Sequence, residues 1–348
     1  MATPTIDDQA DSQALAARLL GIIGASWMSQ AAYVAAQLRI PDLLADGPKT
    51  SAELASASGG HAPSVHRLLR ALTTLDICRE REAGIFELTP MGALLRSDEP
   101  GTLRSWAVFW GGPDWPVWSH LLDSVKTGET GRQHLAGTKD FEHLAHDPDL
   151  AALFNQAMVE LTWRVARAVA RVYDFSGLGR IVDVGGGYGE LLGTILQANP
   201  GARGVLFDMA HAREAGQRHL DRLGLADRCE IVTGSFFESV PGPADAILLK
   251  SIVHDWDDEH SRAILGNCRQ ALAAGGKLLI IERLMPERLD SSPAHQAIVR
   301  GDLNMMVGPG GRERTEAEFQ ALLGAAGLRL NRIIPTGSGL ELLEAVAA

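Results

Sequence analysis

Short apolar runs alternate with helical stretches from Gly177 onward, and this alternation constrains the fold more than any other feature of the chain. The runs occupy residues 180–184, 204–207, 229–233, 246–250 and 277–281. Strands separated by helices pair in parallel, because each helix carries the chain back to the same edge of the sheet. The pattern therefore predicts an α/β domain with a parallel sheet over residues 176–348.

The first hundred residues have a different pattern. Apolar spacing predicts one helix over residues 13–45, interrupted at Pro41, and a capping box at residues 50–54 predicts a short second helix. A third helix over residues 63–75 precedes two short strands at 77–80 and 85–88. Helices followed by a hairpin in this order are typical of a winged-helix domain.

A winged helix can bind DNA or pack against another chain, and charge favours the second interpretation. The chain has 32 basic and 43 acidic residues, a net charge of −11, and its first 100 residues carry a net charge of −4. Phosphate binding requires a basic face, so a DNA-binding regulator is disfavoured and is kept only as an alternative. The apolar first helix instead predicts a dimer surface, and no nucleic-acid partner is expected.

The cysteines and the N-terminus bear on the location of the protein. Its three cysteines are far apart, which gives neither a disulfide framework nor a zinc-binding spacing. The N-terminus lacks a basic stretch followed by an apolar one, and no run of about 18 uncharged apolar residues occurs later. We therefore expect a cytoplasmic protein that does not interact with a membrane.

The first strand of the predicted sheet ends at Asp183 and passes into a turn that contains Gly185, Gly187 and Gly189. Glycines at such a turn let a ligand approach the backbone at the start of the following helix. The spacing departs from the nicotinamide dinucleotide motif, because Glu190 occupies the position of its last glycine. The carboxylate of Asp183 would repel a pyrophosphate, and it suits a ligand with a cationic end.

Asp208 ends the second strand, 19 residues after Gly189. A carboxylate there can accept hydrogen bonds from both hydroxyls of a ribose, or it can cap the helical stretch that begins near Ala210. The glycine turn favours the ribose. A nucleoside with a cationic tail and no phosphate is S-adenosylmethionine, which is the cofactor we predict.

His254 follows the fourth strand, and Glu282 follows the fifth. The ligand-binding ends of parallel strands open on one edge, so both residues are expected beside Asp183 and Asp208. Glu282 could accept a hydrogen bond from one imidazole nitrogen and leave the other free as a base. Taken alone, His254 would more often be an ordinary core or surface histidine, and Glu282 a solvated charge at a strand end.

Three motifs are specific when they occur together: residues 183–189, His254-Asp255-Trp256 with Asp258-Glu259, and the Gly-Gly-Arg-Glu-Arg-Thr sequence at residues 310–315. With them, nearly the whole chain resembles the plant and bacterial small-molecule O-methyltransferases, which include bacterial phenazine and aromatic polyketide O-methyltransferases. The resemblance implies an N-terminal winged-helix dimerisation domain, a Rossmann-like S-adenosylmethionine-binding domain and a homodimer. The expected domains are 1–100 for dimerisation, 101–175 for a helical segment that covers the substrate, and 176–348 for catalysis.

The resemblance also implies roles for individual residues. His254 would be the general base, with Glu282 and Glu313 flanking and orienting it. The predicted cofactor contacts are Asp183, Gly185, Gly187, Asp208, Met209, Ser235, Phe236, Lys250 and Ser251. One departure concerns the adenine: the family commonly has an aspartate where this chain has Ser235, which can accept a hydrogen bond but carries no charge.

Aromatic residues make up only 5% of the chain, yet five of them fall within the 13 positions from Trp106 to Trp118. This crowding lies in the segment that is expected to cover the substrate. The predicted substrate contacts are Trp115, Phe154, Met158 and Trp163, with Asn304 and Met305 from the catalytic domain. Each could equally be ordinary helix-packing core, but as a group they favour a planar and mostly apolar ligand.

The reaction that the resemblance implies is methyl transfer from S-adenosylmethionine to a hydroxyl of a small aromatic compound, which gives a methyl ether and S-adenosylhomocysteine. No metal is expected, because a histidine base is an alternative to metal-assisted deprotonation and the sequence shows no obvious ligand cluster. Besides the winged-helix regulator, one other alternative stays open: a homologue that binds S-adenosylmethionine but decarboxylates or hydroxylates an aromatic polyketide.

Overall fold

The computed structural model describes residues 6–137 and 141–348. The chain forms two compact units, Met1–Pro113 and Asp114–Ala348. Most of the predicted substrate-covering segment therefore belongs to the same unit as the predicted catalytic residues. The three-part division at residues 100 and 175 stays a prediction.

The N-terminal unit combines helices with a small antiparallel sheet. Its helices are α1 (Ile6–Ile23), α2 (Ala25–Gln37), α3 (Ile40–Leu44), α4 (Ser51–Ser58), α5 (Ala62–Thr74), α6 (Pro90–Ala93) and α7 (Arg104–Gly111). Its strands are β1 (Lys49–Thr50), β2 (Cys78–Glu82) and β3 (Ile85–Leu88), which pair in the order β1-β3-β2. The single helix predicted over residues 13–45 is wrong: the chain breaks at Gly24 and turns again at Arg39, whose backbone is left-handed (φ 56°).

Thr50 begins α4 through the predicted capping box. Its hydroxyl accepts a hydrogen bond from the Glu53 N–H at 3.2 Å, and Glu53 Oε2 accepts one from the Thr50 N–H at 2.7 Å. Leu54 of α4 then packs with Leu69 of α5 and Phe86 of β3 in one buried apolar cluster. The order of helices and hairpin predicted for a winged helix is confirmed.

The first two helices leave much of their apolar surface exposed. The side chains that are more than half exposed are Leu15, Leu19, Leu20, Ile22, Ile23 and Trp27. Exposed apolar surface of this extent marks an interaction site. Within the described residues no single helix has the length and hydropathy to cross a bilayer, although the bent pair Ser12–Ile23 and Ala25–Gln37 meets both criteria jointly.

The C-terminal unit begins with helices and continues as an α/β domain. The first helices are α8 (Trp115–Trp118), α9 (Leu121–Thr127), α10 (Gly131–Ala136), α11 (Glu142–His146) and α12 (Pro148–Val172). The α/β part follows in the order β4 (Arg180–Val184), α13 (Glu190–Ala198), β5 (Arg203–Asp208), α14 (Arg213–Arg222), β6 (Cys229–Thr233), β7 (Ala244–Lys250), α15 (Asp258–Ala271), β8 (Leu272–Glu282), α16 (Pro293–Val307), α17 (Glu316–Ala325), β9 (Leu328–Pro335) and β10 (Glu341–Ala347).

The strands of this unit form one sheet in the order β6-β5-β4-β7-β8-β10-β9. The strands β4 to β8 pair in parallel, as predicted, and β10 pairs antiparallel with both β8 and β9. Alternate residues of the central strands belong to two separate buried clusters, so the sheet is covered on both faces. One edge of the sheet collects the carboxyl ends of β4, β5, β7 and β8, where the predicted site residues lie.

A buried carboxylate, Glu344 on β10, ties the sheet to the end of α12. It accepts hydrogen bonds from Tyr173 Oη at 2.7 Å, from Asn331 Nδ2 at 2.6 Å and from Arg332 Nη2 at 3.0 Å. Burial alone would raise the pKa of this carboxyl, but the three hydrogen bonds outweigh it and lower the pKa of Glu344 to about 2.

We expect Glu344→Gln to lower the free energy of unfolding at neutral pH by roughly 1.5–3 kcal/mol, because its donors lose a charged acceptor. The folded pKa lies below the ordinary value of 4.5, so this contribution is complete above that pH and is lost as the pH falls towards 2. Urea unfolding of both proteins at neutral pH and near pH 3 measures it, with the exposed Glu230→Gln as the control. A difference between wild type and Glu344→Gln that stays the same at both pH values would contradict the prediction.

Candidate active site

His254 lies in the short turn after β7, with its imidazole between two carboxylates. Nδ1 is 3.2 Å from Glu313 Oε1 and 3.3 Å from Glu282 Oε2. The His254 side chain is 8% exposed, and both carboxylates are fully buried. The two carboxylates stabilise a proton on Nδ1, which leaves Nε2 as the nitrogen that can accept one.

Backbone N–H groups fix the position of Glu282. Its Oε1 accepts hydrogen bonds from the N–H groups of Ile252, Val253 and His254, at 3.0, 3.0 and 3.4 Å. Ser251 has a left-handed backbone (φ 54°) that turns the chain after β7 and lets these three groups converge on one oxygen. A non-glycine residue in this region is strained, and such strain is concentrated at functional sites.

The charges around His254 determine its protonation. Burial alone disfavours the imidazolium, but the charges of Glu282, Asp255 and Glu313 raise the pKa of His254 to about 9. Asp255 Oδ1 lies 3.5 Å from Nε2, and burial raises the pKa of Asp255 to about 7 despite the opposing charge of His254. Both nitrogens of the ring therefore face a carboxyl group.

Asp183 at the end of β4 is a second buried carboxylate. It is 1% exposed, and its Oδ2 has no hydrogen-bond partner within the described part of the chain. Burial raises the pKa of Asp183 to about 7, although the charge of Lys250 opposes the shift. A buried oxygen without a partner is costly unless a ligand donates to it. The ammonium and sulfonium groups of S-adenosylmethionine suit such an oxygen, so Asp183 fits that cofactor.

The glycine turn after Asp183 keeps its backbone free of side chains. Gly185 and Gly187 have φ angles of 66° and 58°, which favour glycine. A Cβ on Gly185 would lie only 2.4 Å from Ile252 Cδ1. A larger residue at Gly185 would therefore require the Ile252 side chain to move and would strain the left-handed backbone.

Asp208 holds the glycine turn in place. Its Oδ2 accepts a hydrogen bond from the Gly187 N–H at 2.7 Å, and its Oδ1 accepts one from the Met209 N–H at 2.6 Å. Its carboxylate does not cap the helical residues that follow. Asp208 therefore positions the turn, and its contact with a ribose stays a prediction.

Lys250 at the end of β7 is partly buried, and its charge interacts with those of Glu282 and Asp183. Its Nζ donates a hydrogen bond to Thr162 Oγ1 at 3.1 Å. Burial lowers the pKa of Lys250 below its ordinary value, although the charges of Glu282 and Asp183 oppose the shift. Lys250 thus interacts with a carboxylate beside His254 and with one of the predicted cofactor site.

The other predicted cofactor residues follow β5 and β6. Ser235 Oγ accepts a hydrogen bond from the Phe237 N–H at 3.3 Å, which stabilises the turn after β6. The ring of Phe236 lies 6.0 Å from that of Trp256, and Met209 is 51% exposed. The exposed Met209 side chain and the aromatic Phe236 suit contact with a purine, and these contacts stay predictions.

Aromatic rings connect part of the predicted substrate site to the His254 turn. The Phe141 ring lies 5.7 Å from Phe154 and 6.4 Å from Trp256, between centroids. Helix α16 supplies Asn304, whose buried Oδ1 has no hydrogen-bond partner in the described residues. Met305 is buried beside it, at 8% exposure. A planar ligand with a hydrogen-bond donor suits these groups.

The remaining predicted substrate residues have other partners. The Arg167 guanidinium lies 3.9 Å from the Trp163 ring and also pairs with Glu190 at the start of α13. Trp115 is 42% exposed at the start of α8, and the Met158 carbonyl accepts a hydrogen bond from the Thr162 hydroxyl at 2.6 Å. Substrate contacts of Trp115, Met158 and Trp163 stay predictions.

The residues that the structure brings into the site and that sequence reasoning missed include Asp255 and Thr162. Asp255 directly follows His254 in the sequence motif, so its position could have indicated that it lies beside the imidazole. Thr162 lies four residues after Met158, and that spacing places both on one face of α12. Its contact with Lys250 depends on how α12 packs against the sheet, which no local pattern indicates.

The three side chains that the resemblance places around the base also form a possible metal-ligand group, which spacing along the sequence did not indicate. Nδ1 of His254 and one oxygen from each of Glu282 and Glu313 lie within 4.8 Å of one another, a spacing that a metal ion could also use. Glu313 is distant in sequence from the other two residues, so spacing along the chain gave no indication of the cluster.

Two family models match this chain. A model of the O-methyltransferase domain matches residues 118–329, and a model of the O-methyltransferase dimerisation domain matches residues 20–98. The first match contains every residue of the His254 cluster. The second contains the hairpin, the whole of α2 and the last four residues of α1.

Similar proteins cover nearly the whole chain. The phenazine O-methyltransferase PhzM of Lysobacter antibioticus is 42% identical over 341 residues, which span 98% of this chain and 99% of PhzM. The crystal structure of LaPhzM has a TM-score of 0.91 at 42% identity and covers 96% of this chain and 99% of its own. NcsB1, an O-methyltransferase from neocarzinostatin biosynthesis solved with S-adenosylmethionine and 2-hydroxy-5-methyl naphthoic acid, has a TM-score of 0.77 at 35% identity and covers 92% and 96%. The chain therefore belongs to the S-adenosylmethionine-dependent O-methyltransferases.

Proposed function

We propose that this enzyme methylates a phenolic hydroxyl of a small planar aromatic compound, with His254 as the general base. The observation that carries the proposal is the position of His254 Nδ1 between Glu313 and Glu282, which leaves Nε2 to accept the phenolic proton. When bound, S-adenosylmethionine supplies the methyl group, and the products are a methyl ether and S-adenosylhomocysteine. Asp183, Asp208 and Lys250 would hold that cofactor at the ends of β4, β5 and β7.

The carboxylates around His254 make it a stronger base than an isolated imidazole. A phenol has a pKa of about 10 and an ordinary imidazole one of about 6.5. The pKa of His254 is raised to about 9, so transfer of a phenolic proton to Nε2 is almost balanced in free energy. General base catalysis of this kind contributes roughly 10²- to 10⁴-fold to the rate.

The substrate class rests on the groups beside the base. Phe154 and Trp256 both contact the Phe141 ring, which gives this part of the unit an aromatic character suited to a planar ligand. Asn304 Oδ1 can accept a hydrogen bond from a second polar group of the ligand. Relatives of this chain are named for a phenazine or solved with a naphthoic acid. Both compounds are planar fused-ring aromatics, and we propose a hydroxylated compound of that class.

We further propose that proton transfer to His254 replaces metal-assisted deprotonation and that the protein is a homodimer. The scheme uses Nδ1 of His254 as a hydrogen-bond donor to Glu313, which leaves that nitrogen no lone pair for a metal. The matched dimerisation domain and the exposed apolar side chains of α1 and α2 support the dimer. The cytoplasmic location stays a prediction.

The proposed function is tested by incubating the enzyme with methyl-labelled S-adenosylmethionine and a panel of hydroxylated phenazines and naphthoates. Transfer of label to a hydroxyl, undiminished by a chelator, is the expected result, and the corresponding methyl ethers serve as controls without an acceptor. Tight cofactor binding without transfer would favour a homologue that decarboxylates or hydroxylates its substrate. Salt-sensitive binding of duplex DNA would favour the winged-helix regulator.

Ser235→Asp tests the departure from the family pattern at the adenine. We expect the affinity for S-adenosylhomocysteine to stay the same or to improve, because a carboxylate can still accept from the Phe237 N–H and adds a charge for the adenine amino group. Calorimetric titration measures this affinity, with the exposed Ser239→Asp as the control. A large loss of affinity would show that the adenine pocket depends on the hydroxyl.

A further inference from the structure

One oxygen of Glu313 is shared between the imidazole and a guanidinium. Glu313 Oε1 lies 3.2 Å from His254 Nδ1 and accepts a hydrogen bond from Arg283 Nη1 at 3.4 Å. The Arg283 side chain is 31% exposed, whereas the Glu313 side chain is fully buried. Arg283 therefore reaches from a partly exposed position at the end of β8 to an oxygen that is already in contact with His254.

Helix α16 approaches this pair at Gly301. A Cβ on Gly301 would lie 2.8 Å from Glu313 Oε1 and 3.5 Å from Arg283 Nη1. The first distance is shorter than real Cβ contacts, so glycine is what allows the helix to come so close. The next residue, Asp302, accepts a hydrogen bond from the Glu313 N–H at 2.9 Å. Helix α16 thus constrains both the backbone and the carboxylate of Glu313.

Charges of both signs lie near His254. Glu282, Asp255 and Glu313 all favour the imidazolium. Among the described residues, the cations nearby include Lys250, which hydrogen-bonds to Thr162 at 3.1 Å, and Arg283, which pairs with Glu313. Arg314 is also nearby, but it donates to the carbonyls of Val253 and Trp256 at 2.8 and 2.7 Å rather than to Glu313. An arginine stays charged at any relevant pH. Arg283 therefore opposes, at Glu313 itself, the attraction that this carboxylate exerts on the imidazole proton.

We propose that Arg283 is a positioning residue for methyl transfer. Arg283 holds Glu313 Oε1 against His254 Nδ1, and its charge limits how strongly that oxygen retains the imidazole proton. Gly301 provides the space for this arrangement. The inference rests on the proposed function, because it requires His254 to be the base. The orientation of the His254 ring affects kcat, because it sets the direction in which Nε2 points. The charge of Arg283 affects the pH at which the His254 ring becomes neutral.

Arg283→Gln is the first test. We expect kcat to fall roughly 10-fold while KM for the phenol and the affinity for S-adenosylmethionine change little, because Arg283 acts through Glu313. The acid limb of kcat/KM should move to higher pH, because loss of the cation favours the imidazolium. Arg283→Lys keeps the charge, so it should restore the pH profile and part of kcat. The exposed Arg288→Gln is the matched control.

Gly301→Ala tests the position of Glu313 Oε1 by a steric effect. It still gives a result if Arg283→Gln unfolds the protein. Its methyl group should displace Glu313 Oε1 and lower kcat by a similar factor, without removing a charge. Gly266→Ala on α15 is the matched control, because a Cβ at Gly266 meets nothing within 4 Å. Thermal unfolding of all variants shows which of them keep the fold.

Unchanged kcat and pH profile in Arg283→Gln, together with unchanged kcat in Gly301→Ala, would overturn the proposal. A rise in KM at constant kcat would also overturn it, because Arg283 would then bind the substrate directly. Measuring His254→Ala in the same series distinguishes a failure of the proposed base from a failure of the positioning role of Arg283. If His254→Ala retains turnover, the proposed base fails; if His254→Ala alone loses turnover, only the positioning role of Arg283 fails.

Discussion

His254→Ala is expected to reduce turnover by roughly 10²- to 10⁴-fold, the usual contribution of a general base. The substitution removes Nε2, while the predicted cofactor residues Asp183 and Asp208 lie at the ends of other strands, and the hydrogen bonds of Asp208 do not involve His254. Affinity for S-adenosylmethionine should therefore change little. Turnover is measured by transfer of a labelled methyl group to a phenol, and affinity by calorimetric titration.

The His254→Ala result requires a check on the fold, because the substitution leaves Glu282 and Glu313 without their shared partner. Buried carboxylates without a partner destabilise a protein, so thermal unfolding has to be measured on the same samples. His61→Ala is a suitable control, since His61 is exposed in the N-terminal unit and its side chain hydrogen-bonds to the nearby Ser64. Unchanged turnover in folded His254→Ala would remove His254 as the base.

Glu282→Gln is expected to lower kcat roughly 10- to 100-fold and to move the acid limb of kcat/KM to lower pH. The profile of kcat/KM reports the free enzyme. Its acid limb should lie near pH 9 in the wild type, because the base must be neutral to accept a proton and the pKa of His254 is about 9. A neutral amide at position 282 removes one of the charges that raise this pKa. The shift is opposite in sign to the one expected for Arg283→Gln.

Glu282→Ala should affect stability as well as rate. It would leave three backbone N–H groups, of Ile252, Val253 and His254, without the oxygen that now accepts from them. Each buried donor without a partner costs about 1–3 kcal/mol, so the free energy of unfolding should fall by several kcal/mol. Glu282→Gln keeps an acceptor oxygen and should lose much less.

Urea unfolding compares the two Glu282 variants, with the exposed Glu287→Ala as the control. Equal destabilisation by alanine and glutamine would show that the three N–H groups do not depend on this carboxylate. An acid limb of kcat/KM that stays in place in Glu282→Gln would show that its charge does not act on His254.

Sequence patterns predicted the parallel part of the sheet well, because strands buried on both faces appear as short continuous apolar runs. They did not predict β9 or β10, which complete the sheet. In β9 the polar side chains of Arg329, Asn331 and Arg332 interrupt the apolar ones, as is usual at a sheet edge. Glu344 interrupts β10, and it is tolerated because four donors on neighbouring elements surround it.

The gathering of Asp183, Asp208, His254 and Glu282 on one edge could be predicted from the sequence, because the carboxyl ends of parallel strands share that edge. Which side chains hydrogen-bond there could not be predicted. The role of Glu313 came from resemblance, since it lies after α16, far from His254 in sequence. Arg283 and Thr162 were missed because their contacts depend on the packing of α16 and α12, which apolar periodicity does not determine.

Acceptance of the phenolic proton by His254 is tested most directly by comparing wild type and His254→Ala on phenols of different acidity. A base matters when the hydroxyl must lose its proton during the reaction, and it matters little when the hydroxyl is already ionised. The ratio of wild-type to variant turnover should therefore be large for an ordinary phenol and should approach one for a nitro-substituted analogue that is ionised at the assay pH. The same large ratio for both phenols would contradict the role of His254 as the base.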